Sequence, residues 1–248
     1  MSIEPTYSLT IDPVAMEKCF IVSKLLSQLY QAEKAEYGLL GLALQSNPLH
    51  VVEVLLLPGQ RVNAVSVFQS GHNVVRMAKE IDVLSQEAGE PLVAITFVHR
   101  HPEGVAMSMV DTEFLAGVFV DQVSTLISFR ESTVVKSGEF PCDCLRTDPF
   151  ASQPVAGIRP DTEVEIEFGL CFSIIVNSHR EYSITAVRKA WCPFCGTPAV
   201  HLMPAGLSMK PKRTLTQRER IRLREQLSKE IKAKVQLDSN VVVSGEIL

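Results

Sequence analysis

The chain has 248 residues, 46% of them hydrophobic and 21% charged, so it can bury one large core or two small ones. No stretch reaches the roughly 18 uninterrupted apolar residues that a membrane-spanning helix needs, and no contact with a membrane is expected. Residues 1–8 lack the basic and then apolar start of a secretory signal, so the expected compartment is the cytoplasm.

Charge is distributed unevenly along the chain. The formal net charge is −4, yet residues 210–234 hold ten Lys and Arg against three Glu. This asymmetry predicts a basic arm on an acidic body, suited to an acidic partner or to a clamp within the molecule. The basic segment has no aromatic residues and the whole chain is acidic, so nucleic-acid binding is not expected.

The first predicted elements are a helix and two strands. From 14 to about 32, apolar residues recur at spacings of four and five, as on one face of a helix. The apolar run at 37–44 has the length of a buried strand and leads into a second strand at 51–57.

A second helix and a central strand follow. Residues 71–89 place their apolar side chains on one side and end at a glycine, which is typical of a helix terminus. The run at 92–98, LVAITFV, is continuously apolar and partly β-branched, as expected of a strand covered on both faces.

The rest of the chain is predicted to be mainly strands before a last helix. A short helix is expected near Ser108, and a Pro-, Asp- and Ser-rich linker or long excursion at 146–162. Two pairs of strands are predicted, at 123–129 with 132–136 and at 163–176 with 182–191. Thr216 and Glu219 have capping-box spacing and open a basic amphipathic helix.

The end of the central strand carries a potential zinc site. Side chains alternate faces along a strand, so His99 and His101 project the same way. Ser108 and Asp111 are three residues apart and share one face of a helical first turn. Two His and one carboxylate leave a fourth position on tetrahedral zinc for water, as in a catalytic site. Such a site also needs a base, and Glu36 is the candidate.

Simpler interpretations of the same residues remain open. His99 and His101 could be ordinary residues at a strand end. The spacing of Ser108 and Asp111 is also that of a capping box, in which both residues satisfy backbone donors without a metal. Glu36 could be a solvated residue at a helix end.

Three sequence elements in order resemble a known family. They are Glu36-Tyr-Gly38-Leu-Leu-Gly41, His99-x-His101-Pro102 and Ser108-x-x-Asp111. Together they resemble the JAMM motif of the JAB/MPN zinc metalloproteases, over roughly residues 14–136. Five residues separate Pro102 from Ser108, which is shorter than the familiar family spacing.

The resemblance implies a fold and roles for the site residues. The fold would be α/β (α+β), with an MPN-like mixed β-sheet flanked by helices. The zinc ligands would be His99, His101 and Asp111. Glu36 would act as general acid/base, and Ser108 would steady the oxyanion of the tetrahedral intermediate.

The resemblance also implies a function. The family includes zinc-dependent deubiquitinases and bacterial members that act on ubiquitin-like proteins in conjugation operons. A zinc isopeptidase that removes or processes a ubiquitin-like protein is therefore expected, with conjugation-system proteins as partners in a bacterial antiphage setting. The alternatives are a catalytically silent MPN scaffold and a zinc hydrolase of a small amide or a sulfur-carrier fusion.

The cysteines suggest a second zinc ion. Cys192-Pro-Phe-Cys195 followed by Gly196 has the form of a zinc-knuckle turn. Cys142-x-Cys144 is predicted to complete a structural site. Alternative ligands are Cys171, His179 and His201. The thiols could instead be unliganded or redox-active in a reducing cytosol.

Three regions are predicted from these patterns. Residues 1–145 would form the JAB/MPN-like catalytic domain, and 146–213 a smaller β-rich, Cys-containing module that binds zinc. Residues 214–248 would form the basic C-terminal helix and tail.

Overall fold

The computed structural model describes residues 7–30, 37–57, 59–62, 67–68, 71–101, 104–108, 111–112, 130–139, 142, 159, 161–209 and 214–237. Within these ranges the chain forms three α-helices, α1 (Pro13–Tyr30), α2 (Gly71–Ala88) and α3 (Gln217–Lys234). None of the described helices is both long enough and apolar enough to cross a lipid bilayer.

The described residues also form eleven strands. They are β1 (Tyr7–Ile11), β2 (Gly38–Leu44), β3 (His50–Leu56), β4 (Gln60–Val62), β5 (Val67–Phe68), β6 (Leu92–Arg100), β7 (Arg130–Lys136), β8 (Glu163–Val176), β9 (Tyr182–Trp191), β10 (Pro198–Met209) and β11 (Val235–Leu237). The predicted mixed α/β class is confirmed. The predicted strand at 123–129 and most of the linker at 146–162 lie outside the described residues.

Seven of these strands close into a barrel, a feature that was not predicted. Their order is β6-β2-β3-β1-β10-β9-β8, and pairing of β6 with β8 completes the ring. Strand β8 is 14 residues long and has two partners on one edge. Its first half pairs with β7 in antiparallel fashion, and Phe172–Val176 pair in parallel with β6. Strand β7 is therefore attached to the barrel through β8.

Strands from both sides of the predicted boundary at 145 and 146 belong to this barrel. Strands β8, β9 and β10 come from the region predicted as a separate Cys-containing module. The parallel pairing of β1 with β10 places Leu9 beside Leu207. The region predicted as a catalytic domain and the region predicted as a Cys-containing module thus contribute strands to one sheet.

Local sequence patterns account for the elements nearest the site. Helix α1 begins at Pro13, whose fixed φ and missing N–H suit the first turn of a helix. Helix α2 is followed by Gly89 at φ 78°, a conformation that glycine adopts without strain. All nine residues of β6 are buried, as the continuous apolar run predicted.

Helix α3 packs against the barrel and the other two helices. Its Leu227 and Ile231 are buried in the main core. Arg224 Nη2 donates to Gln28 Oε1 of α1 at 2.7 Å, and Lys234 Nζ binds Glu80 of α2. The basic segment of the sequence is therefore bound, in part, within the molecule.

A candidate metal centre at the end of β6

His99 and His101 lie on one face at the end of the central strand. Strand β6 runs between two neighbours, and His99 is paired with Gly38 of β2 on one side and Ile175 of β8 on the other. His101 follows directly, and its N–H donates to the carbonyl of Val176 at 3.0 Å. The two rings are buried, with centroids 5.0 Å apart. Backbone pairing on both sides therefore holds the two imidazoles in register.

Phe97 supports the first of these rings, and Gly38 makes room for it. Phe97 and His99 are stacked, with centroids 5.5 Å apart and planes at 24°. A Cβ at Gly38 would lie 2.8 Å from Phe97 Cε2 and 3.0 Å from Leu57 Cδ1, closer than such atoms can approach. Packing thus explains why a glycine stands at position 38, since the missing side chain leaves the space that the Phe97 ring occupies.

Asp111 contacts both imidazoles. Its Oδ1 lies 3.1 Å from His99 Nε2, and its Oδ2 lies 3.1 Å from His101 Nε2. All three side chains are at least nine-tenths buried. One carboxylate therefore faces two ring nitrogens in a space largely closed to solvent.

Ser108 orients this carboxylate. The Ser108 N–H donates to Asp111 Oδ2 at 2.7 Å, and the Asp111 N–H donates to Ser108 Oγ at 3.1 Å. These reciprocal bonds are the capping box that the sequence left as a metal-free alternative. The box and the contact with the two histidines coexist, so the capping bonds hold Asp111 in place for a further role.

The protonation of these groups suits a metal. Burial lowers the pKa of His99, and the nearby His101 adds to this effect, whereas Asp111 acts in the opposite direction. Burial alone would raise the pKa of Asp111. The contacts of the Asp111 carboxylate with His101, His99 and Ser108 have a larger effect in the opposite direction, and they hold the pKa of Asp111 well below its usual range. Neutral imidazoles and an ionised carboxylate are the forms that bind divalent metals.

Two further observations fit a metal ion between the three side chains. Neither ring nitrogen of His99 has a well-aligned hydrogen bond to any described residue, although both are buried. The three donor atoms lie within 4.8 Å of one another. Ligands bound at about 2.0–2.1 Å in a tetrahedron are separated by about 3.3 Å, close to the observed contacts. Two nitrogens and one oxygen are donors that zinc accepts.

The structure leaves some predicted site residues undescribed. Glu36 and Pro102 lie outside the described residues, so the role of Glu36 stays a prediction. The residue after it, Tyr37, is buried, and its carbonyl accepts a hydrogen bond from the N–H of Arg100 at 3.2 Å. Arg100 stands between the two histidines in the sequence, so Tyr37 lies against the strand that carries them.

Sequence reasoning missed residues that support the site. Phe97 had a visible signal, since it precedes His99 by two positions and shares its face of β6. Ser183 had none. Its hydroxyl donates to the carbonyl of Val105 and thereby ties the segment before Ser108 to β9, 78 residues away in the chain.

Three of the four predicted cysteines meet elsewhere in the fold. Cys142, Cys192 and Cys195 have their sulfur atoms within 4.8 Å of one another. Cys144 lies outside the described residues. Among the described donor groups, this cluster does not include the alternative ligands, which are Cys171, His179 and His201. The part of the chain that the structure describes therefore contains two separate groups of potential metal ligands.

Comparison with known proteins adds no family assignment. No family model matches this chain, and no curated protein matches it.

Proposed function

We propose that this chain is a zinc-dependent isopeptidase or peptidase of the JAMM type, which removes or processes a ubiquitin-like protein. The observation that carries the proposal is the convergence of His99, His101 and Asp111 at the end of a buried strand. The order of the motif elements supports it, because the resemblance extends beyond the three donors to Glu36, Gly38 and Ser108.

Each described side chain has a task in this reaction. A zinc ion bound here would polarise a carbonyl and lower the pKa of a water molecule. His99 and His101 would hold it as neutral donors, and Asp111 would contribute one negative charge. The remaining position would face the substrate, as in catalytic rather than structural sites.

Ser108 is suited to stabilise developing negative charge. Its Oγ accepts a hydrogen bond from the Asp111 N–H, which leaves the hydroxyl hydrogen to donate. Capping bonds fix this hydroxyl beside the carboxylate ligand. A preorganised donor of this kind stabilises the oxyanion that forms when the amide carbonyl is attacked.

Glu36 completes the proposal as the proton carrier. A carboxylate near the site would take the proton from the attacking water and return it to the leaving amine. Glu36 is joined to Tyr37, whose carbonyl binds the backbone of Arg100.

The test separates metal binding from proton transfer. We expect Glu36→Gln to keep its zinc and to lose about 10²–10⁴-fold in the rate of cleavage of a ubiquitin-like fusion, the usual contribution of general acid–base catalysis. Glu33→Gln is the matched control, three residues away, and should cleave normally. His99→Ala should lose the metal of the site at the end of β6 together with the activity.

Two results would contradict parts of the proposal. Full activity in Glu36→Gln would mean that another group carries the proton. Wild-type protein that binds no zinc after incubation with the metal would remove the enzymatic hypothesis and favour a scaffold with an MPN-like fold.

A further inference from the structure

We propose that Cys142, Cys192 and Cys195 bind a second zinc ion, which is structural and fastens the segment after β7 to the turn between β9 and β10. The inference does not depend on the proposed catalysis, because the two groups of donors share no residue. It rests on the turn geometry, the position of the third thiol and the surroundings of the cluster.

The turn between β9 and β10 presents two thiols from one short segment. The N–H of Cys192 donates to the carbonyl of Thr197, and the N–H of Gly196 donates to the carbonyl of Cys192, each at 2.9 Å. Gly196 has φ 71°, which allows the tight reversal that a side chain would strain. Cys195 therefore folds back toward Cys192, as in the knuckles of structural zinc sites.

The third thiol comes from a different part of the chain. Strand β7 ends at Lys136, and a short 3-10 turn at Ser137–Glu139 leads to Cys142. The sulfur atoms of Cys142 and Cys195 are 3.3 Å apart, well beyond the roughly 2.05 Å of a disulfide, and each of the three residues is present as a thiol. Two thiolates on tetrahedral zinc are separated by about 3.8 Å, since each bond measures about 2.3 Å.

The surroundings favour a structural role. Cys142 and Cys192 are buried in a small core with Ile166, Phe168 and Ala190, separate from the main core. Cys195 is exposed. Thiolate ligands held partly inside an apolar core suit a site that stabilises the fold, in contrast to the nitrogen and oxygen donors at the end of β6.

A metal at this position would add a second attachment for β7. Among the described strands, β7 pairs with β8 alone. Zinc on Cys142 would connect the end of β7 to Cys192, which directly follows β9, and to Cys195 in the turn before β10.

Cobalt substitution of the wild-type chain tests the ligands without a mutation. Tetrahedral cobalt on thiolates gives sulfur-to-metal charge-transfer absorption in the near ultraviolet, which a site of His and Asp lacks. We expect this absorption at two cobalt equivalents, and we expect it to persist in His99→Ala. Its absence from the cobalt-loaded wild-type chain would overturn the proposal.

Metal content and hydrogen exchange test whether the second zinc ion is bound at these cysteines. We expect two zinc ions per chain in the wild type, one in Cys192→Ala and two in the control Cys171→Ala, whose thiol is buried in the main core. Amide exchange over residues 130–136 should increase at least tenfold in Cys142→Ala. Two zinc ions in both Cys192→Ala and Cys142→Ala, or iron–sulfur absorption in the protein as isolated, would overturn a zinc site at these cysteines.

Discussion

At the scale of single residues, Gly38 acts on the candidate metal centre in two ways, through its strand pairing with His99 and through the Phe97 ring. The space left by its missing side chain is filled by Phe97, and the Phe97 ring is stacked on His99. Because His99 is also held by backbone pairing on both sides, the ring of Phe97 mainly restricts the orientation of the imidazole. Correct orientation matters, since a metal ligand must direct one nitrogen at the ion.

Replacing this glycine should therefore weaken metal binding. In Gly38→Ala the new methyl group must displace the Phe97 ring, at a cost of about 1–3 kcal/mol in the free energy of unfolding, as for other overpacked cores. Zinc affinity at the His99 site should fall at the same time. Urea denaturation of the metal-free protein and a competitive zinc titration measure the two effects.

Gly169 in β8 provides the control for this substitution. A Cβ at Gly169 would meet no atom within 4 Å, so Gly169→Ala should leave zinc affinity unchanged. If Gly38→Ala bound zinc as tightly as Gly169→Ala, the Phe97 ring would have no part in orienting His99.

At the scale of secondary structure, the start of α3 illustrates how a local pattern becomes a stable helix end. Thr216 Oγ1 accepts from the Glu219 N–H at 3.3 Å, and Glu219 Oε2 accepts from the Thr216 N–H at 2.9 Å. These bonds satisfy backbone donors that the first helical turn leaves unpaired. The helix then delivers Leu227 and Ile231 to the core.

Loss of this cap should destabilise the protein modestly. We expect Thr216→Ala to lower the free energy of unfolding by about 1 kcal/mol, because the side-chain acceptor disappears. Thr214→Ala is the matched control, since Thr214 is exposed and lies before the helix. Equal unfolding midpoints for the two variants in urea would show that the capping box contributes nothing measurable.

The elements were predicted more completely than their arrangement. Local sequence patterns predicted the helices α1, α2 and α3 and the strands β2, β3, β6, β7, β8 and β9. Strand β10 was missed, since Pro198, Pro204 and Gly206 interrupt any alternation in its sequence. Closure of the barrel was missed because it depends on pairings between distant segments, which periodicity does not encode.

For the candidate site, the metal donors were predicted and the packing that supports them was not. His99 and His101 followed from the alternation of side chains along a strand, and Asp111 from its spacing to Ser108. The structure brings these donors within 4.8 Å. The position of Phe97 on the face of His99 could have been predicted, but the packing of its ring into the space at Gly38 could not, because this contact crosses from β6 to β2 and requires the strand register.

At the scale of the whole molecule, Glu17 joins three parts of the fold. Its carboxylate on α1 accepts two hydrogen bonds from Arg180, which follows β8, at 3.2 and 2.6 Å. Its Oε1 also lies 3.6 Å from Nε of Arg220 on α3. The Arg180 guanidinium lies over the ring of Phe20, 4.7 Å from its centroid. Glu17 thus links the two helices to the turn between β8 and β9.

The contribution of this carboxylate should depend on pH. The hydrogen bonds from Arg180 lower the pKa of Glu17 against the opposing effect of burial, and the charges of Arg180 and Arg220 add to the lowering. Its pKa in the folded protein is therefore below the ordinary 4.5. The stabilisation is fully present above pH 4.5 and is lost as the pH falls through the folded pKa.

Glu17→Gln tests this linkage. The variant should be less stable than the wild type by roughly 1 kcal/mol at pH 7, since the side chains of both partners, Arg180 and Arg220, are about half exposed. The difference should shrink as the pH falls below 4.5. Glu87→Gln, at an exposed position of α2, is the control. A difference between Glu17→Gln and wild type that stays constant from pH 7 to acid would contradict the role of the Glu17 charge.

The parallel pairing of β1 with β10 has a consequence for how the chain folds. Tyr7 lies beside Ala205 in this register, so the barrel joins residues that are 198 positions apart in the sequence. During synthesis β1 must wait until β10 has been made before its second neighbour exists. A topology with such high contact order predicts slow folding, and an N-terminal fragment ending before β10 should leave the barrel open between β1 and β9. The segment with the JAMM-like motif should therefore not fold stably when expressed without the strands that follow it.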